Sequence, residues 1–253
     1  PGGLVLSGHT DTVPFDEALW GCNPLALTEK DNRLYGLGSS DMKGFFALVH
    51  AAVQPLLTEK FKAPLIILAT ADEESSMDGA RALVQQGRSL GRHAVIGEPT
   101  GLRPINRHKG ILMERLQVQG QSGHSSNPAL GRNALEAMHE MISALLQFRG
   151  QLQQRYRDPH FAIDVPTLNL GSIHGGDNPN RICGHCGLEF DVRMLPGMKS
   201  VEVRNDIRAL LEPIAIRHRV EFTFTPLFAG TEAFANDNSE LLHVCEALTG
   251  HSG

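Results

Sequence analysis

The chain has 253 residues, 41% of them hydrophobic and 20% charged, a globular composition with material for one large domain or two modest ones. Its formal charge of −5 argues against a basic surface for nucleic acid or an anionic membrane. The longest apolar run, Pro64 to Ala71, falls far short of the roughly 20 residues a membrane-spanning helix needs, Pro1-Gly2-Gly3 is neither basic nor apolar as a leader would be, and four cysteines are too few for a disulfide framework, so a soluble, cytoplasmic protein with reduced thiols is expected.

In chain order, the first hundred residues alternate short apolar runs with longer helical patterns: Leu4 to Ser7, Phe45 to Leu57, Leu65 to Thr70, Gly79 to Gln86 and Ala94 to Ile96. Apolar strands without strict alternation, separated by helices, predict an α/β layer with parallel strands. After Pro104 the pattern changes. Leu112 to Gly120 alternates, and Asn133 to Tyr156 carries Leu135, Met138, Ile142, Leu145 and Leu146 at helical spacing. Thr167 to Ile173 and Cys186 to Met194 alternate again, Val201 to Ala215 is helical, and Val220 to Thr225 closes the series. The order β-α-β-β-α-β predicts a ferredoxin-like module, two helices on one face of a four-stranded antiparallel sheet.

Asn238 to Leu248, with Ser239 near its start, reads as a last helix that rejoins the first layer. The predicted architecture is thus α/β: a catalytic domain with a mixed or parallel sheet (1–103), an inserted ferredoxin-like lid and dimerisation domain (104–226), and a return to the catalytic domain (227–253). With no initiator Met and an abrupt end after Leu248, the sequence reads as an excerpt of a longer polypeptide. Cys183-Gly-His-Cys186 has the spacing of half a zinc knuckle, but no second pair follows it; a strand with two small buried thiols is expected instead.

The chemistry-bearing residues fall just beyond predicted strands or before predicted helices: His9-Thr-Asp11, Asp41 ahead of the helix near Phe45, Asp72-Glu73-Glu74, and Glu98. Taken singly, each has a plainer use: His9 as a polar strand end, Glu73 and Glu74 as acids at a helix start, Asp41 as a helix cap. Ligand sites of open α/β sheets, however, collect beyond the carboxyl ends of the strands, so these groups are expected to converge. Crowded carboxylates repel unless a cation neutralises them, and oxygen donors with an imidazole suit zinc, cobalt or manganese.

These residues resemble the M20 family of dinuclear zinc amidohydrolases. The matching strings are Ser7-Gly-His-Thr-Asp-Thr-Val-Pro14, Tyr35-Gly-Leu-Gly-Ser-Ser-Asp-Met-Lys-Gly44, Ala69-Thr-Ala-Asp-Glu-Glu74, Ile96-Gly-Glu-Pro-Thr100, Gly120-Gln-Ser-Gly-His-Ser-Ser126, Gly175 to Cys183 and Asp191-Val-Arg193. The resemblance implies two Zn²⁺ per subunit, with Co²⁺ fitting the same ligands: His9 and Glu98 on one ion, Glu74 on the other, and Asp41 bridging. It implies that Asp11 orients His9, that Glu73 is the general base, and that His124 reaches into the partner subunit's site to stabilise the oxyanion, so a homodimer through the lid is expected. Asn180 and Arg193 are similar to the family's contacts to a substrate carboxylate, with Lys109 a further candidate.

The implied reaction is hydrolysis of a small N-acyl amino acid. Removal of the acetyl group from the α-nitrogen of ornithine, in arginine biosynthesis, comes first, and cleavage of N-succinyl-diaminopimelate or another N-acyl amino acid is the alternative. The family's second metal also takes a histidine from a Gly-rich segment expected beyond residue 253. His243 and His251 lack that context, so a non-catalytic, dimerising fragment is the other expectation.

Overall fold

The computed structural model describes residues 2–88, 90–236 and 240–253. The chain divides into two compact units, Pro1–Pro104 with Ser239–Gly253, and Ile105–Asn238. Among the described residues no helix is long and apolar enough to cross a membrane.

The first unit opens with β1 (Leu4–His9), followed by a hairpin of β2 (Thr28–Lys30) and β3 (Arg33–Tyr35). Asp31 and Asn32 at its tip have φ of 54° and 57°, the left-handed pair that a two-residue hairpin turn requires. Then come α1 (Lys43–Val53), β4 (Leu65–Thr70), α2 (Asp78–Gln85) and β5 (His93–Ile96). The three long strands form a parallel sheet in the order β4-β1-β5.

The second unit comprises β6 (Arg107–His108), β7 (Gly110–Gln119), α3 (Ala134–Arg155), β8 (Thr167–Gly175), β9 (His185–Met194), α4 (Ser200–His218), β10 (Glu221–Pro226) and β11 (Phe234–Ala235). Its antiparallel sheet has the order β10-β7-β9-β8, the split βαβ topology expected from the sequence. Alternation decides which face is covered. Leu112, Leu116 and Val118 of β7 and Leu188, Phe190 and Val192 of β9 are buried in one core with α3 and α4. Cys183 and Cys186 are both buried free thiols, Cys186 within β9 and Cys183 just ahead of it.

On α3 the buried stripe is Ala134, Ala137, Met138, Met141, Leu145, Phe148 and Leu152, which corrects the stripe read from the sequence. Leu135 and Leu146 are exposed, Leu135 by 47%. Asn133 caps the helix through the N–H groups of Leu135 and Glu136, and a helix started there turns the small Ala134 and Ala137 inward.

Residues 227–236, read from the sequence as part of the return to the catalytic domain, are instead fastened to the second unit. Leu227 donates to Met113, Thr231 exchanges main-chain bonds with Ile111, and β11 pairs with β6. Lys199, at the N-cap of α4, makes no side-chain cap bond; the Glu232 carboxylate takes that place, accepting from the N–H and hydroxyl of Ser200. The last helix, α5 (Glu240–Thr249), belongs to the first unit. Asn238 and Ser239, where the sequence sets its start, lie outside the described residues.

Candidate metal centre

Parallel strands end on the same side, and the site follows from that. His9 is the last residue of β1 and lies level with Thr70, the last of β4, while Ser7 lies level with Ile96, the last of β5. Asp11, Asp72–Glu74 and Glu98 therefore leave the sheet along one edge, and Asp41 joins from the turn before α1. Two glycines allow the close approach. A Cβ on Gly8 would come 2.5 Å from Cε of Met42, the fully buried residue beside Asp41, and one on Gly97 would run into the Phe45 ring.

His9 is 1% exposed. Its Nδ1 is 3.0 Å from the main-chain oxygen of Asp11, and a carbonyl only accepts, so Nδ1 carries the proton and Nε2 faces the acids. Nε2 lies 3.1 Å from Asp41 Oδ1 and 3.9 Å from both Glu73 Oε2 and Glu98 Oε1. Burial by itself would lower the His9 pKa, but the Asp11 carbonyl, the Asp41 hydrogen bond and the charges of Glu73 and Glu98 outweigh it and raise it.

Asp11 serves two neighbours. Beside the carbonyl that holds His9, its Oδ2 accepts the main-chain N–H of Glu74 at 3.0 Å, while Oδ1 is buried without a hydrogen-bond partner. Burial pushes its carboxyl pKa up, yet the N–H groups of Glu74 and Glu73 hold it below the ordinary value. Glu74 and Glu98 go the other way: burial first, then the charges of Asp41 and Glu73, raise both.

Two donor sets result, His9 with Asp41 and Glu98, and His9 with Glu73 and Glu74, each with its ligand atoms within 4.8 Å of one another. A buried imidazole nitrogen facing several carboxylates, with Glu74 and Glu98 harder to ionise through burial and the neighbouring acids, fits a divalent cation. Glu73, for which the resemblance implies the part of general base, stands here as a possible donor beside Glu74. Among the described residues His9 is the imidazole of both sets; His243 and His251 belong to neither.

The second unit carries the other four candidates, in two pairs. Ser125 donates to the Asn180 carbonyl, Ile182 donates to that of Gly123, and His124 bridges Arg181, so the His124 and Asn180 loops are laced together. They lie beyond the end of β7 and ahead of β9. Lys109 and Arg193 lie at the start of β7 and the end of β9, where Gly110 pairs with Met194. The pairs thus sit at opposite ends of ten-residue strands, about 30 Å apart at roughly 3.3 Å per residue. Asn180 and Arg193 of one chain therefore do not meet on one carboxylate.

Arg193 Nε donates to Asp191 Oδ2 at 2.8 Å, a bond that does not use its terminal nitrogens. Lys109, the further candidate for a substrate contact, has a structural occupation within the chain. Its ammonium donates to Ile163 O at 2.7 Å and Val165 O at 2.8 Å and lies 5.5 Å from the Phe161 ring centroid, pinning the segment before β8. The sequence reading also passed over Ser126, whose N–H and hydroxyl both reach His124 Nδ1; the His-x-Ser spacing was the available signal.

Residues 106–219 match the peptidase dimerisation domain of M20 proteins. The chain is 46% identical, over 96% of its length and 68% of the relative's, to an acetylornithine deacetylase of Vibrio campbellii. It is 51% identical, over 89% of its length and 60% of the relative's, to one from Vibrio atlanticus. The chain thus spans roughly 60–68% of the length of such relatives. Among solved structures it resembles aminopeptidase PepT from Bacillus cereus (TM-score 0.72, 18% identity, 99% of this chain and 65% of that one). A tripeptidase from Staphylococcus aureus gives a TM-score of 0.68 at 17% identity, over 99% and 65%; both likenesses speak to the fold.

Proposed function

Because this chain belongs to the M20 family of metal-dependent hydrolases, we propose that it is the greater part of an enzyme that hydrolyses N2-acetyl-L-ornithine to L-ornithine and acetate. One observation carries the reading: a buried His9 whose Nε2 faces the carboxylates of Asp41, Glu73 and Glu98. The names of the relatives favour the acetyl substrate over the succinyl alternative.

His9, Asp41 and Glu98 would hold one ion, with Asp41 and Glu74 turned to a second, and zinc or cobalt suits that donor set. When bound, such ions supply Lewis-acid polarisation of the amide carbonyl. Glu73 takes the proton from the attacking water on its carboxylate and returns it to the leaving amine. His124 donates a hydrogen bond to the developing oxyanion, and the free terminal nitrogens of Arg193 fit the substrate carboxylate.

The separation of His124 and Asn180 from Arg193 along the sheet supports a homodimer in which each site takes its Arg193 from one chain and the His124–Asn180 pair from the other. The test is hydrolysis by the full-length polypeptide, loaded with Zn²⁺ or Co²⁺, of N2-acetyl-L-ornithine against N-succinyl-diaminopimelate. Faster release from the acetyl compound is expected; faster cleavage of the succinyl one overturns the substrate assignment.

A further inference from the structure

We propose that Ser126 is a positioning residue that sets the tautomer of His124, leaving the imidazole proton on Nε2. This rests on the reading of His124 as the oxyanion donor. The main-chain N–H of Ser126 donates to His124 Nδ1 at 3.2 Å, and the Ser126 hydroxyl lies 2.8 Å from the same nitrogen. An N–H has no lone pair to offer, so Nδ1 must be the acceptor, and a neutral ring then keeps its one proton on Nε2. The opposite tautomer would point an Nδ1 proton at the Ser126 N–H and forfeit that bond, with the hydroxyl forced to turn from donor to acceptor.

His124 lies on the surface in a loop laced to the Asn180 segment by the 123–182 and 125–180 main-chain bonds. The backbone thus fixes where the ring stands, and Ser126 fixes which way its proton faces. An oxyanion needs a donor at the moment charge develops; a ring presenting a lone pair there would repel it. His9 is set in the opposite sense by a carbonyl on its Nδ1, which frees Nε2 as a lone-pair ligand. The two histidines are thereby assigned opposite duties by the atom that faces Nδ1.

The experiment uses full-length enzyme with ¹⁵N-labelled histidine and three variants, Ser126→Ala, Ser126→Thr and His124→Ala. Wild-type His124 is expected to show the nitrogen shifts of an Nε2–H ring. Ser126→Ala, which keeps the main-chain donor, should shift the tautomer ratio and lower kcat roughly 3- to 10-fold, the range one ordinary hydrogen bond supports, with KM nearly unchanged. Ser126→Thr should restore both. An Nδ1–H ring in the wild type, or unchanged shifts and rate in Ser126→Ala, overturns the proposal. His124→Ala as fast as wild type would instead remove the underlying role of His124 and the rate effect with it, while the nitrogen shifts still decide whether Ser126 holds the ring.

Discussion

One residue, Asp11, holds two members of the metal centre with different atoms: its carbonyl takes the Nδ1 proton of His9 at 3.0 Å, and its carboxylate takes the N–H of Glu74, also at 3.0 Å. Asp11→Ala keeps the first bond and loses the second. It is expected to weaken metal binding about 10- to 100-fold, the usual effect of removing a group that orients ligands, while Asp11→Asn, which retains an acceptor, loses less. Isothermal titration with Zn²⁺ measures this; an alanine variant with wild-type affinity would show that the carboxylate has no hold on Glu74.

Glu73 stands close enough to His9 to act as ligand or base, and Glu73→Gln separates the two. A base is expected to lose roughly 10²- to 10⁴-fold in kcat with the metal content intact. Loss of one metal equivalent in the variant, read by elemental analysis, would make Glu73 a ligand.

The opposed placement of His124 and Arg193 on one sheet makes a complementation test possible. Glu73→Ala and His124→Ala proteins, each inactive, are mixed after reversible dissociation. If His124 serves the other subunit, half of the random dimers hold one intact site, and on the order of a quarter of wild-type activity returns. If it serves its own subunit, the mixture stays inactive.

On α3, Leu145 is fully buried and Leu135 lies 47% exposed. Leu145→Ala is expected to cost about 2–5 kcal/mol of stability and Leu135→Ala less than about 1 kcal/mol, both by urea unfolding. Equal losses would mean that the helix presents a different face.

Glu114 is wholly buried on β7, with Oε1 accepting from Arg204 Nε at 2.8 Å and Oε2 without a partner. Burial raises its pKa, against the opposing pull of Arg204. The unfolded chain ionises near the ordinary 4.5 while the folded chain keeps its proton to higher pH, so the folded state binds more protons in that window. Stability therefore falls as pH climbs from the unfolded to the folded value. Glu114→Gln lacks this loss, so its stability relative to wild type should improve across the same window. Parallel pH–stability curves for the two proteins would show that Glu114 titrates alike in both states.

Much of this was legible in the sequence because the buried positions of β7 and β9 alternate and because acids that have plainer uses singly recur together just after successive apolar strands. The parallel sheet then gathers His9, Asp41, Glu73, Glu74 and Glu98. What escaped has physical reasons. The strands of the β2–β3 hairpin are three residues long, too short to show a period, although Asp31-Asn32 marks its turn. The α3 stripe was misphased because leucines were weighted above Ala134 and Ala137. Residues 227–236 are attached through main-chain bonds and the Glu232 cap, which leave no hydrophobic pattern. The distance between Asn180 and Arg193 depends on strand order, which motif spacing does not encode.

The pairing of Arg107–His108 with Phe234–Ala235 brings the entrance and exit of the inserted module side by side. A piece of chain that enters and leaves a host through one doorway replaces a surface loop without prising open what surrounds it. That makes residues 105–236 a transferable cassette: grafted by a short tether into another protein's turn, or expressed with its ends joined, it should keep its own shape.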